Sequence, residues 1–342
     1  MSRISLTVAE AYKQKIAVPV VGILKANSRP AVVSGRPPLL CFTFLAHQKI
    51  MEISIPVARD FSFKRTVVSH GWCGLLPFEL DRENWALTRV VDLNGARPVT
   101  LKITAAGRSI RIQTSSRLSQ AASKKAIDQV RHMLRLDDDM TAFYQSLAAD
   151  RDFGWIPSQG AGRLLRSPSV FEDLVKMICT TNCSWALTKK MVTGLVENLG
   201  RSSPDGRRSF PTPEAMAVMP EKFYVNEVRA GYRSGYLKEL ADRVASGELD
   251  VESWLSSSLP TAELIKTMRE VKGVGPYAAE NVLKLIGRYD GLALDSWTRA
   301  KFFEVRNNGR KATDKKIARF YSRFNEWRGL ALWCDMTRDW LE

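Results

Sequence analysis

Residues 261–287 read TAELIKTMREVKGVGPYAAENVLKLIG, two stretches with apolar residues at helical spacing on either side of a very short turn. A turn that short leaves two helices little choice but to run back alongside each other. The spacing predicts one helix over 261–270, with its own cap at Thr261, and a second over 276–288. Pro276 suits the first position of the second helix, where its missing N–H would be unpaired anyway. Two glycines, Gly273 and Gly275, sit in the turn. Glycine there serves either to adopt a positive φ or to let something come too close to the backbone for a side chain. At a helix N-terminus the usual guest is a phosphate, because the first amides point outward without partners.

The charge balance agrees with a polyanionic partner: 51 Lys and Arg oppose 36 Asp and Glu in 342 residues, a net charge of +15. The five cysteines, Cys41, Cys73, Cys179, Cys183 and Cys334, form no CxxC pair. That argues against a zinc site, an iron–sulfur cluster and a disulfide framework, and for a reducing compartment. The longest apolar runs, IAVPVVGIL and PPLLCFTFLA, are too short to cross a bilayer, so no membrane partner is expected. A bacterial protein of this kind would be cytoplasmic and associated with the nucleoid. Residues 1–50 hold one acid, Glu10, against seven Lys and Arg, without sustained periodicity. They read as a basic extension: a disordered arm, an over-extended start ahead of Met51, or a leader for an organelle or the nucleus.

From Met51 the pattern turns to alternation. EISIPV, FSFKRTVV, ALTRVVDL, VTLKIT and SIRIQT predict an antiparallel sheet over 51–115, with AAGR as a hairpin turn between the last two strands. A helix over 117–134 covers it, which makes 51–135 one domain. Beyond it, 136–342 reads as almost entirely helical. Ser169 and Glu172 stand at capping-box spacing, Ser184 caps the next helix, and Thr212-Pro213-Glu214 opens another. Further helices are expected near 225–246, 296–305 and 314–340. The fold class is therefore α+β: an N-terminal antiparallel sheet domain and a mostly α-helical core containing the helical hairpin.

About twenty residues after the hairpin, LALDSWTR places an acid, Asp295, at the start of another helix. A glycine hairpin followed at that distance by an aspartate resembles the helix-hairpin-helix (HhH-GPD) DNA glycosylase superfamily, and the resemblance runs over roughly residues 51 to 342. It implies that Lys272, Gly273, Val274 and Gly275 hold a DNA phosphate and that Asp295 is the catalytic carboxylate. It also implies a structural monovalent cation on the backbone of Arg269, Val271 and Val274, with no other cofactor required and no iron–sulfur cluster. ICTTNCSWALTKK is similar to the segment of 8-oxoguanine DNA glycosylases whose asparagine fills the space of the flipped base, which assigns that role to Asn182. RAGYRSGYL resembles their Gly-Tyr-Arg segment, so Tyr232 would wedge into the stack and Arg233 would contact the estranged base. The match weakens at HGWCGLLPF (70–78), and Lys272 stands where the superfamily commonly has proline.

One position bears on mechanism. Members that form a Schiff base carry a lysine two residues after the hairpin GVG, and here that residue is Tyr277. A phenol forms no imine. GVGPY instead resembles the Gly-Pro-Trp sequence of 3-methyladenine DNA glycosylase II, which makes Tyr277, Asn281 and Trp297 candidates for the base pocket. The implied protein is a monomer of one activity: it flips a damaged purine from double-stranded DNA and hydrolyses the N-glycosidic bond, with an alkylated base such as 3-methyladenine favoured over 8-oxoguanine. Two alternatives stay open. One is a non-catalytic helix-hairpin-helix protein that recognises damaged or branched DNA, with Asp295 only a helix cap. The other is a glycosylase that also cuts the strand through some other amine.

Overall fold

An antiparallel sheet of five strands opens the described chain: β1 (Met51–Pro56), β2 (Phe78–Asp81), β3 (Ala86–Val91), β4 (Val99–Ala106) and β5 (Ser109–Thr114), in the order β1-β5-β4-β3-β2. This computed structural model describes residues 51–93 and 97–341, so the basic extension, residues 1–50, lies outside the described residues. The alternation in VTLKIT and SIRIQT does what it predicts: Ile103 lies opposite Ile112 and both are fully buried. Their turn is the two-residue loop Gly107-Arg108, with Gly107 at φ +59.

FSFKRTVV departs from expectation. Phe63–Val67 is a short helix rather than a strand, capped by Ser62, whose hydroxyl accepts from the Arg65 amide at 3.3 Å. Phe63, Thr66 and Val67 are its buried residues. Read at intervals of three and four instead of two, the segment has one apolar face, and the serine cap decides between the periods.

Ten helices of eight residues or more follow among the described residues: α1 (Gln120–Leu134), α2 (Thr141–Ala148), α3 (Val170–Thr180), α4 (Trp185–Leu199), α5 (Ser234–Ala245), α6 (Thr261–Arg269), α7 (Pro276–Ile286), α8 (Ser296–Arg306), α9 (Asp314–Tyr321) and α10 (Arg328–Met336). Ser119, Ser169 and Ser184 cap α1, α3 and α4 as serines do. Glu172, however, does not complete the capping box at Ser169. It is buried in an ion pair with Arg89 of β3 and reaches Lys176 at 2.6 Å. This buried triad ties sheet to helices, and one hydrophobic core runs through both, from Leu101 and Ile112 to Leu174, Val282 and Leu332.

Three helical expectations need correction. The stretch 225–246 is broken: a short helix ends at Asn226, Arg229 and Gly231 take positive φ, and α5 begins at Ser234. The stretch 314–340 is broken too, at Asn325 (φ +48), a residue type that tolerates the left-handed region. Thr261 is not a cap, because Pro260 occupies the cap position and offers no side-chain acceptor.

Candidate active site

The turn between α6 and α7 separates its two glycines by cause. Gly273 has φ +87, and a Cβ there would lie 2.8 Å from the Tyr236 ring, so the fold itself demands glycine. Gly275 is extended (φ −80, ψ −180), a conformation open to any residue, and a Cβ there would meet nothing within 4 Å. The free protein therefore has no steric need for Gly275. It is the cap residue of α7 and provides no side-chain cap, so the first amides of that helix have no side-chain acceptor from it. Lys272 is exposed and pairs with Glu239 at 2.6 Å. Arg269, Val271 and Val274 also lie at this turn, with the Val274 amide donating to the Val271 carbonyl at 3.0 Å.

The turn faces a groove of about 960 Å³ that also receives Asn182, Tyr232 and Asp295, residues spread over more than a hundred positions of sequence. Asn182 has φ +47, and its amide lies 3.5 Å from the Tyr232 hydroxyl. Tyr232 is 55% exposed on the groove side. Arg233, expected to contact the estranged base, does not line the groove in this structure. It is 3% exposed, donates to the carbonyl and hydroxyl of Thr181, and stacks its guanidinium on Tyr232 at 4.3 Å. Its side chain joins the Asn182 loop to the Tyr232 loop, a positioning task.

Behind the groove lies a smaller cavity of about 190 Å³, and Asp295 and Tyr277 stand on the boundary of the two. Asp295 caps α8 in a full capping box. Its Oδ1 accepts from the Thr298 amide at 2.7 Å, while its own amide donates to Thr298 Oγ1 at 2.8 Å. Its other oxygen, Oδ2, accepts from the Tyr277 hydroxyl at 3.2 Å. The cap and the pocket carboxylate are thus one residue using different oxygens. Burial, and next the negative Asp295, push the Tyr277 phenol far above its ordinary pKa, so it stays a neutral donor. Asn281 lines the same cavity and donates to the Tyr277 carbonyl at 2.9 Å. Trp297 lines it as well, with Trp333 and Trp340 each 5.8 Å away between ring centroids.

Several walls of the cavity escape the sequence reading. HGWCG, where the resemblance weakens, supplies His70, Gly71 and Trp72. The Trp72 indole donates to the buried Asp173 at 2.6 Å, and the His70 ring pairs with the Leu165 carbonyl. Burial lowers His70 to about 4, which keeps it neutral at physiological pH. Trp185 lines the cavity and fits against Gly71, where any side chain would strike its ring.

The most informative residue missed is Lys284. It is 2% exposed, lines the cavity, and donates to the Leu292 carbonyl at 2.8 Å. Desolvation lowers it to about 8. A helical reading locates it: Tyr277, Asn281 and Lys284 fall at i, i+4 and i+7, one face of α7. The same helix also holds the loop before Asp295, since Glu280 accepts the Ala293 amide. Among the described residues no group of three or more His, Cys, Asp or Glu side chains gathers as a metal site would require.

No protein-family model matches the chain. It is 24% identical over 258 residues to the DNA-3-methyladenine glycosylase of Bacillus subtilis, covering 73% of this chain and 84% of that protein. It is 25% identical over 172 residues to the N-glycosylase/DNA lyase of Saccharomyces cerevisiae, 46% of this chain and 45% of that one. Its fold matches that of the Clostridium acetobutylicum 8-oxoguanine glycosylase/lyase in complex with double-stranded DNA, with a TM-score of 0.64, 20% identity, and coverage of 85% and 97% of the two chains. Sequence relatives and structural neighbours converge: the chain resembles the 3-methyladenine and 8-oxoguanine DNA glycosylases of the helix-hairpin-helix superfamily.

Proposed function

We propose that this protein is a DNA N-glycosylase that turns a damaged purine out of the duplex and hydrolyses its glycosidic bond without a covalent intermediate. One observation carries the reading: Asp295 Oδ2 stands at the mouth of an aromatic-walled cavity, on its border with a groove that faces the helical hairpin. A base in the cavity with its phosphate at the Gly275 turn would place the sugar between them, over the carboxylate. Breaking the bond at C1′ leaves positive charge on the sugar, and a fixed carboxylate stabilises that charge where water is excluded. The same carboxylate orients the attacking water and takes its proton.

The sequence relatives favour a glycosylase over a pure DNA binder. Turning a base out of the stack costs a few kcal/mol, and Tyr232 and Asn182 fill the space left behind. The backbone amides at the start of α7 hold the phosphate, and the carbonyls of Arg269, Val271 and Val274 are the donors for a monovalent cation that would brace the turn. The protein binds as a monomer in this reading. Tyr277 excludes imine formation at the usual position. Lys284 is the one lysine lining the cavity, and it is held by the Leu292 carbonyl of the loop that follows α7.

Duplexes each carrying one damaged purine, treated with the protein and then with alkali, test this reading. Excision with no borohydride-trapped adduct supports it. A trapped adduct lost in Lys284→Met would establish a lyase instead, and excision of none of the lesions would leave only a DNA binder.

A further inference from the structure

We infer that Lys284 selects the base by charge, so that the cavity accepts a neutral purine lesion bearing a carbonyl or ring-nitrogen acceptor and rejects N-alkylated purines that are cationic in DNA. This inference rests on the glycosylase reading and names the substrate class of that site. It reverses the preference that Tyr277 alone suggests.

Lys284 brings a cation into a cavity with several aromatic walls, which the Asp295 carboxylate borders on the groove side. An ammonium has three N–H groups, and a single hydrogen bond, to Leu292, is made among the described residues. No carboxylate neutralises it by contact. Glu280 is engaged with the Ala293 amide, and Asp295 with Thr298 and Tyr277; neither forms an ion pair with Lys284. The other titratable groups lining the cavity are His70, held neutral by burial, Tyr277, held as the phenol, and Cys183, whose thiol meets the Cys179 carbonyl at 3.1 Å.

The tryptophan walls alone would suit a cationic base through cation–π attraction. A second cation changes the balance, since Lys284 already lies 5.6 Å from the Trp333 ring. Two positive charges about 5 Å apart in a protein interior repel by enough to lower occupancy tenfold or more, roughly, which exceeds what an aromatic face returns. For a neutral purine the same ammonium assists. When the C1′–N9 bond breaks, the electron pair leaves with the base as an anion, which an ammonium hydrogen-bonded to its acceptor stabilises. Water then adds at C1′ and its proton passes by way of Asp295 to the departed base, so that free base and abasic sugar are the products. A cationic alkylated base leaves neutral and gains nothing from that contact.

Single-turnover excision of 8-oxoguanine and of 7-methylguanine from otherwise identical duplexes tests the inference. The two share the O6 acceptor but differ in charge, and each rate is divided by that lesion's spontaneous release. The wild-type protein should accelerate loss of 8-oxoguanine more than loss of 7-methylguanine, and Lys284→Met should lower the ratio of the two by about tenfold or more. A wild-type preference for 7-methylguanine overturns the inference, and that measurement needs no variant to fold. So does a loss shared equally by both lesions in Lys284→Met, which would make the lysine only an anchor for the loop before Asp295. If the wild-type protein releases no damaged purine at all, the glycosylase reading fails first and this inference fails with it.

Discussion

Asp295→Asn separates the two tasks of one side chain. In the capping box Oδ1 accepts the Thr298 amide, and an asparagine carbonyl replaces that acceptor without moving an atom. The new amide nitrogen falls where Oδ2 stood, and the Tyr277 hydroxyl 3.2 Å away turns from donor to acceptor. The cap therefore survives, and the cost to stability should stay below about 1 kcal/mol. What disappears is the charge that faces the sugar in the proposed mechanism. Losing a fixed electrostatic partner of the transition state costs about 3 kcal/mol or more, a hundredfold or more in rate. Binding of lesion duplex should persist, because the proposed phosphate contacts lie at the hairpin. Single-turnover excision and thermal melting on the same variant give both numbers. Excision near the wild-type rate would refute the mechanism, since Asp295 would then be a cap and nothing else.

The two glycines of the turn should part company: Gly273→Ala lowers stability by about 1 kcal/mol or more because of its positive φ and the Tyr236 ring, as chemical denaturation would show. Gly275→Ala should leave stability near the wild-type value yet weaken binding to lesion and undamaged duplex alike, and equal affinity would remove the phosphate from that turn. His70 has a folded pKa of about 4, below its unfolded value of 6.5, so the unfolded chain gains the proton first and stability falls as pH drops through that window. The loss reaches about 3 kcal/mol, and urea midpoints at pH 7 and pH 5 should show a smaller drop in His70→Gln. His132, lowered to about 3 by burial, titrates in both proteins and cancels. A chain starting at Met51 retains every described element, and it should fold and excise like the full chain.

Local rules carried much of the way from sequence to structure. Serine caps at 169 and 184, the alternation of β4 and β5, and the proline that opens α7 each depend on neighbours a few positions away. Where those readings failed, something distant decided. Glu172 has the spacing of a capping box, but Arg89 on β3 and Lys176 offered it a buried ion pair. Arg233, which the resemblance assigns to the estranged base, is held inward here by the Thr181 carbonyl. The cavity walls were the least legible part. His70, Trp72, Trp333 and Trp340 come from opposite ends of the described chain, and only packing brings them together.

One helix face, by contrast, lies in plain view in the sequence. Tyr277, Asn281 and Lys284 sit at i, i+4 and i+7 of α7, and all three line the cavity. Its first turn carries the uncapped amides suited to phosphate, its second carries Asn281 on the cavity side and Glu280 against the loop before Asp295, and its third places an amine at the cavity. The resemblance directs attention to the residue two positions after the glycine hairpin, where this chain has Tyr277 and members that form a Schiff base carry lysine. The geometry shows that α7 still presents a lysine to the cavity, two turns deeper. Tyr277, not Lys284, is the residue in contact with Asp295, so in the proposed mechanism the amine would lie beside the base rather than at the sugar carbon. A lysine so placed acts on what leaves rather than on what stays.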